Sequence, residues 1–118
     1  MAVKTSAGVA QHFADRPETV KATYEAILSA ARTFGPVVED PKKTSIHLNR
    51  RTAFAGIATR RARLIMTVKS SSDIVSDRVR KRERASANRW HLEIELSTPA
   101  DVDREVRSWL KSAYALAG

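Results

Sequence analysis

The sequence predicts an α+β domain: a two-layer sandwich in which a helix, an antiparallel β meander of four or five strands and a second helix follow one another along the chain. Three patterns predict it. Apolar residues recur at helical spacing from Val20 to Ala31 and again from Val102 to Tyr114, and short runs between them alternate apolar with polar residues. The 118 residues, 42% hydrophobic and 29% charged, suit one folded unit, placed here at residues 15–118 behind a flexible segment, residues 1–14.

The opening helix is predicted from "RPETVKATYEAILSAARTFGP". Val20, Tyr24, Ile27, Leu28 and Ala31 form one stripe, Asp15 is placed as the cap, Pro17 in the first turn, and Gly35 with Pro36 as the stop. An extended "VVEDP" follows, then "TSIHLNR", with Ile46 and Leu48 on one face and His47 and Asn49 on the other. "TAFAGIAT" reads as a short strand in which Gly56 marks a bulge or a close backbone approach. "RARLIMTVKS" is the best central strand, with Leu64, Met66 and Val68 facing one way and Ile65 the other. Residues 73–89 contain few large apolar side chains and are assigned an edge strand or a helical turn within a long loop. "WHLEIELS" alternates Trp90, Leu92, Ile94 and Leu96 with His91, Glu93 and Glu95, the period of a strand with one buried face. Thr98, Pro99 and Asp101 resemble a capping box that opens the closing helix. The aromatics Tyr24, Phe34, Phe54, Trp90, Trp109 and Tyr114 fit the core between the helix stripes and the sheet.

Several function classes drop out. With no cysteine, the chain has no disulfide, thiol nucleophile or thiolate metal site. No apolar run approaches the roughly 20 residues that span a bilayer, and the first residues lack the apolar core of a secretory signal, so the expected location is the cytoplasm. Neither G-x-x-x-x-G-K-[ST] nor G-x-G-x-x-G occurs, and Ser70 to Ser72 before Asp73 reads as a turn rather than a nucleophile. No catalytic set, resident metal or cofactor is assigned.

The charge is concentrated. Residues 42–91 hold fourteen of the 21 Lys and Arg and three of the 13 Asp and Glu, a local excess of +11 within a net charge of +8. One candidate anion site comprises Lys42, Lys43, Arg50, Arg51, Arg60, Arg61 and Arg63, where the two arginine pairs bracket a single short strand. Planar guanidinium forks suit phosphate or carboxylate, although neighbours on a strand point to opposite faces and each pair then offers one side chain per face. The second is "RVRKRERA", with Arg78, Arg80, Lys81, Arg82 and Arg84 as a basic ridge or a solvated charged loop. A third constellation is polar: His47, Asn49, His91 and Glu93 meet only if their strands are neighbours, and would then offer a small-molecule or metal site.

The stretches "HFADRPETVKATYEAILSAARTFGPV", "PKKTSIHLNRRTAFAGI", "HLEIEL" and "DREVRSWLKSAYA" together resemble a prokaryotic family, domain of unknown function 5655. Its members similarly join an opening helix to a strand containing P-K-K-T, an F-A-G step and a last helix ending in A-Y; the resemblance runs from His12 to Ala115. More loosely, the order is similar to small domains of the YdhG and frataxin-like type. The resemblance implies a fold and a prokaryotic setting, and no established activity or site. Members are similar to domains attached to predicted nuclease modules, which favours nucleic acid as the partner by association. The leading expectation is therefore a non-enzymatic binding domain whose basic surface contacts nucleic acid backbone or another polyanion. The alternatives are a small-molecule or metal site on the polar sheet face, and a protein-interaction or homodimer module using a sheet edge.

Overall fold

The structure, a computed structural model, describes residues 7–118. The elements are α1 (Ala7–Gln11), α2 (Glu18–Arg32), β1 (Val38–Pro41), β2 (Ile46–Asn49), β3 (Ala53–Thr59), β4 (Leu64–Ser70), β5 (Val79–Ser86), β6 (Arg89–Leu96) and α3 (Arg104–Leu116), with a 3-10 turn over Pro99–Asp101 ahead of α3. The fold class is α+β as predicted, but the sheet has six strands rather than four or five, in the order β1-β2-β3-β4-β6-β5. Every pairing is antiparallel.

Alternation sets the two faces of the sheet. Leu64, Met66 and Val68 of β4 lie opposite Leu96, Ile94 and Leu92 of β6, while Met66 and Val68 also face Ile57 and Ala55 of β3. This face is buried together with Val20, Tyr24, Ile27 and Leu28 of α2 and Val106, Trp109, Leu110 and Ala113 of α3. Burial of each large aliphatic side chain contributes about 1.5–3 kcal/mol, so this shared surface is the main source of stability. The other face carries His47, Gly56, Thr67, Glu93 and Lys81 in one row across the sheet.

The meander holds only through β4. A strand beside β4 must supply an apolar face, and β6 does so with three fully buried residues. In β5 only Val79 is buried and the other seven residues are exposed, so β5 pairs outside β6 as an edge strand. Residues 71–78 carry the chain past β6 to reach it. Of the two structures predicted for residues 73–89, the edge strand is the one adopted.

Three local expectations are corrected. The sequence places residues 7–14 in a flexible segment, yet α1 lies within them and Val9 and Phe13 are buried. Phe13 meets Tyr24 with ring centroids 5.1 Å apart, and the residue spacing of four puts both apolar side chains on the core side. Residues 1–6 of that segment lie outside the described residues. Pro17 takes the cap position of α2 rather than its first turn, and Asp15 makes no capping bond. Thr98 and Asp101 do form a reciprocal pair, with the Asp101 carboxylate accepting from the amides of Ser97 and Thr98 at 2.8 and 3.0 Å. That pair closes only the 3-10 turn, however; α3 begins later, where Asp103 accepts from the Val106 amide at 3.1 Å.

Two polar links tie the layers together. The Tyr24 hydroxyl donates to the Glu39 carboxylate at 2.6 Å, joining α2 to β1. Burial first, and then the bond to Glu39, push the Tyr24 phenol well above its ordinary value. At the far end of both helices the Tyr114 hydroxyl donates to the Pro36 carbonyl at 3.0 Å, and its ring meets Phe54 edge-on at 5.3 Å. Gly35, at φ +149°, brings the backbone close enough for that bond, and a Cβ there would collide with the Tyr114 hydroxyl.

Gly35→Ala should therefore lower stability by about 1–3 kcal/mol, or several degrees in a thermal melt. A variant melting within a degree of the native chain would sink this account. The Tyr24 bond predicts a pH effect as well. An unfolded tyrosine releases its proton near pH 10, while the folded phenol holds it to a higher pH. The native state then binds more protons than the unfolded one, so stability is intact below about pH 10 and falls as pH rises from there. Denaturant titrations across that range should show the decline, and Tyr24→Phe should flatten it.

Candidate nucleic-acid interface

The antiparallel turns sort the predicted cations into separate places. The β1–β2 and β3–β4 turns share one end of the sheet and bring Lys42, Lys43, Arg60, Arg61 and Arg63 there. The β2–β3 turn is at the opposite end with Arg50 and Arg51. The two arginine pairs thus sit at opposite ends of β3 and do not converge. Both pairs also occupy turns, so the alternation that limits a strand pair to one side chain per face does not govern them.

Many of the twelve candidate cations are engaged within the protein. Arg78 is the most committed: its guanidinium bonds both Asp103 carboxylate oxygens at 2.8 Å, Glu105 at 3.3 Å and the Asp101 carbonyl at 2.7 Å. This pins the long 71–78 connection to the start of α3. The Val106 amide first, and then Arg78, hold the Asp103 carboxyl below its usual range. Arg63 and Arg80 share one oxygen of Glu95 at 2.6 and 2.9 Å. Arg82 pairs with Asp73 at 2.8 Å and Lys81 with Glu93 at 3.8 Å. Lys42 meets Asp40 at 2.9 Å, and its hydrogen bond lowers the Asp40 carboxyl. Arg50 lies over the Tyr114 ring at 4.5 Å and donates to the Tyr114 carbonyl at 3.2 Å. Arg84 lies 5.8 Å from the Trp90 ring centre and donates to the carbonyls of Ser86 and Ala87.

Four cations remain without an ion pair or an aromatic partner on this count: Lys43, Arg51, Arg60 and Arg61, among the described residues. The Arg60 guanidinium donates to the neighbouring Thr59 carbonyl at 3.1 Å. Three of the four, Lys43, Arg60 and Arg61, lie at one end of the sheet. Behind them is a cleft of about 360 Å³ lined by Lys43, Thr44 and Arg60 from the two turns, Thr59 at the end of β3, Gln11 at the end of α1, and His12, Asp15 and Arg16 from the α1–α2 connection. Arg16 has no side-chain hydrogen bond among the described residues, and its Nε is buried. An unsatisfied buried donor costs about 1–3 kcal/mol, a cost that a bound anion or water would relieve. Reasoning from sequence missed Arg16, Gln11 and His12 because it placed them in or beside the flexible segment. The signal was there in Val9 and Phe13, four residues apart and both apolar.

The polar constellation is dispersed. His47 is on β2 and His91 on β6, with β3 and β4 between them. His47 and Glu93 share a row but are three strand spacings apart, roughly 14 Å. Asn49 sits beside a bulge, its Oδ1 buried without a partner among the described residues. No group of three or more His, Asp or Glu residues that could hold a metal ion occurs among the described residues. His47 and His91 do line one shallow trough of about 290 Å³, floored by Gly56, Ala58 and Ile65. No helix among the described residues is long and apolar enough to cross a membrane.

The family pattern described as domain of unknown function DUF5655 matches residues 9–117. The chain belongs to the DUF5655 family. Membership brings no activity with it. No curated protein and no solved structure matches the chain, so the looser likeness to YdhG and frataxin-like domains gains no support there. The family match begins at Val9, a buried residue of α1, so it takes in the last part of that helix and the α1–α2 connection that line the cleft.

The division between engaged and open cations is testable. Arg78→Ala removes a cluster that holds α3 and should lower the melting temperature by several degrees. Arg61→Ala, on an exposed turn, should change stability by no more than about 0.5 kcal/mol. Equal melting shifts in the two variants would refute the assignment of Arg78 as a structural clasp.

Proposed function

We propose that this DUF5655 chain is a cytoplasmic, non-enzymatic binding domain whose basic end contacts the backbone of nucleic acid. The observation that carries the proposal is the cluster of Lys43, Arg60 and Arg61 on two adjoining turns, with no carboxylate partner among the described residues. A surface ion pair contributes little to stability but partly cancels the field of its cation. The unpaired turn residues therefore dominate the attraction at this end.

The contact is with phosphates rather than bases. Sequence-tolerant binding of single strands that relies on stacking needs open aromatic faces. Here Trp90 is half-buried against the core and has Arg84 over it, while the other large aromatics belong to the core cluster. Backbone neutralisation without base contacts gives affinity with weak sequence preference.

The alternatives have less behind them. The trough between His47 and His91 has an apolar floor but separates its two imidazoles, so it lacks converging polar groups. Pairing through a sheet edge is disfavoured at both edges. Five of the eight residues of β5, Arg80 to Arg84, are charged, and β1 is four residues long and ends in Pro41.

Three phosphate contacts predict a logarithmic salt slope of about −2.7 on duplex and about −2 on a single strand. Duplex affinity should then be about fortyfold weaker at about 200 mM salt than at about 50 mM. Fluorescence anisotropy with labelled oligonucleotides measures this directly. Lys43→Glu with Arg60→Glu should remove most of the binding. Absence of binding at low salt, or affinity indifferent to salt, would refute the proposal.

A further inference from the structure

The cleft behind the basic turns has features that an open polyanion surface does not require. At about 360 Å³ it is at the small end of ligand pockets, a volume that suits a phosphate and its attached sugar. Three chain segments line it, the two turns and the α1–α2 connection. Lys43 and Arg60 reach it from the turns, and Arg16 lines it from the α1–α2 connection with its buried Nε–H unpaired among the described residues. Gln11 and Thr44 add neutral polar groups, and Asp15 is the one carboxylate on the lining.

The walls are held in place before any ligand arrives. His12 donates its Nε2–H to the Lys42 carbonyl at 2.9 Å, which ties α1 to the β1–β2 turn. Gly8 packs so closely on Pro41 that a Cβ would lie 2.9 Å from the ring. The buried side chains of Val9 and Phe13 hold the same helix to the core. The backbone segments that carry Arg16 and Lys43 are thus held relative to one another before binding, which lowers the ordering cost.

We propose that this cleft receives the terminal phosphomonoester of a nucleic-acid strand; the inference rests on the nucleic-acid proposal above and narrows it. A monoester offers up to two negative charges and three non-bridging oxygens. An internal diester offers one charge and two such oxygens, and needs an exit for chain on both sides. Three cations against one carboxylate, two of them planar guanidinium forks, match the monoester.

The test compares one single-stranded oligonucleotide carrying terminal phosphates with the same oligonucleotide carrying only terminal hydroxyls, at constant salt, on the full chain. In parallel, inorganic phosphate is titrated while the Arg16 Nε–H resonance is followed by NMR. The phosphorylated strand should bind at least about tenfold more tightly, and phosphate should move the Arg16 signal. Arg16→Gln should abolish the difference between the strands, whereas Arg16→Lys, which keeps the charge and loses the fork, should keep part of it. Lys43→Gln, an exposed substitution, should narrow the difference even if Arg16→Gln disturbs the α1–α2 connection. Equal affinity for the two strands overturns this inference and leaves the broader polyanion proposal standing. If neither strand binds but phosphate still moves Arg16, the cleft is a site for free phosphate, and both the strand-terminus inference and the nucleic-acid proposal fall. If phosphate leaves Arg16 unmoved, the cleft is not a phosphate site.

Discussion

The stacking of β6 against β4 is the contact on which the rest of the molecule depends. Leu92, Ile94 and Leu96 match Val68, Met66 and Leu64 residue for residue, and α2 and α3 cover the continuous apolar face that results. A strand with seven exposed residues cannot occupy that place, because it would leave the underside of the helices facing charge. Once β6 is beside β4, β5 is forced to the edge and the 71–78 connection must travel the length of the sheet. Arg78 ends that connection on Asp103 and Glu105, so the same arrangement orders the start of α3.

This arrangement also decides what the positive charge is available to do. The local excess of +11 over residues 42–91 looks like a single basic surface when read along the chain. In space Glu95 of β6 takes both Arg80 of β5 and Arg63 of the β3–β4 turn, and Asp103 at the start of α3 takes Arg78 from the 71–78 connection. Arg50 is drawn onto the Tyr114 ring at the far end. On the turns beside α1, Lys43, Arg60 and Arg61 escape this compensation, and among the described residues Asp15 is the carboxylate that lines the cleft. The functional case therefore rests on a few uncommitted cations and a preorganised cleft, rather than on net charge.

Much of the framework was legible in the sequence. The stripes of α2 and α3, the alternation of β4 and β6, and the inward positions of Val20, Tyr24, Ile27, Leu28, Trp109 and Tyr114 all follow from local periodicity, and the structure buries these residues. Strand number was undercounted because β1, "VEDP", is too short and polar to show a period, and because β5 is charged on both faces. An edge strand needs backbone pairing on one side and no buried face, so little in its composition marks it. The N-terminal helix was missed for a related reason: five residues give barely one turn, and only Val9 and Phe13 betray its apolar side.

The sequence by itself determined the fold class, the two long helices, the buried face of the central strands and the family, because these depend on residue patterns repeated within a single segment. Tertiary structure alone decided strand order, which arginines are paired, and the cleft that joins Arg16 to Lys43 and Arg60. Those features depend on groups far apart in the chain whose positions follow from competition for the same buried surface and the same few carboxylates. Periodicity carries no information about that competition. It becomes visible only when β5 yields its place to β6 and α1 docks on the β1–β2 turn.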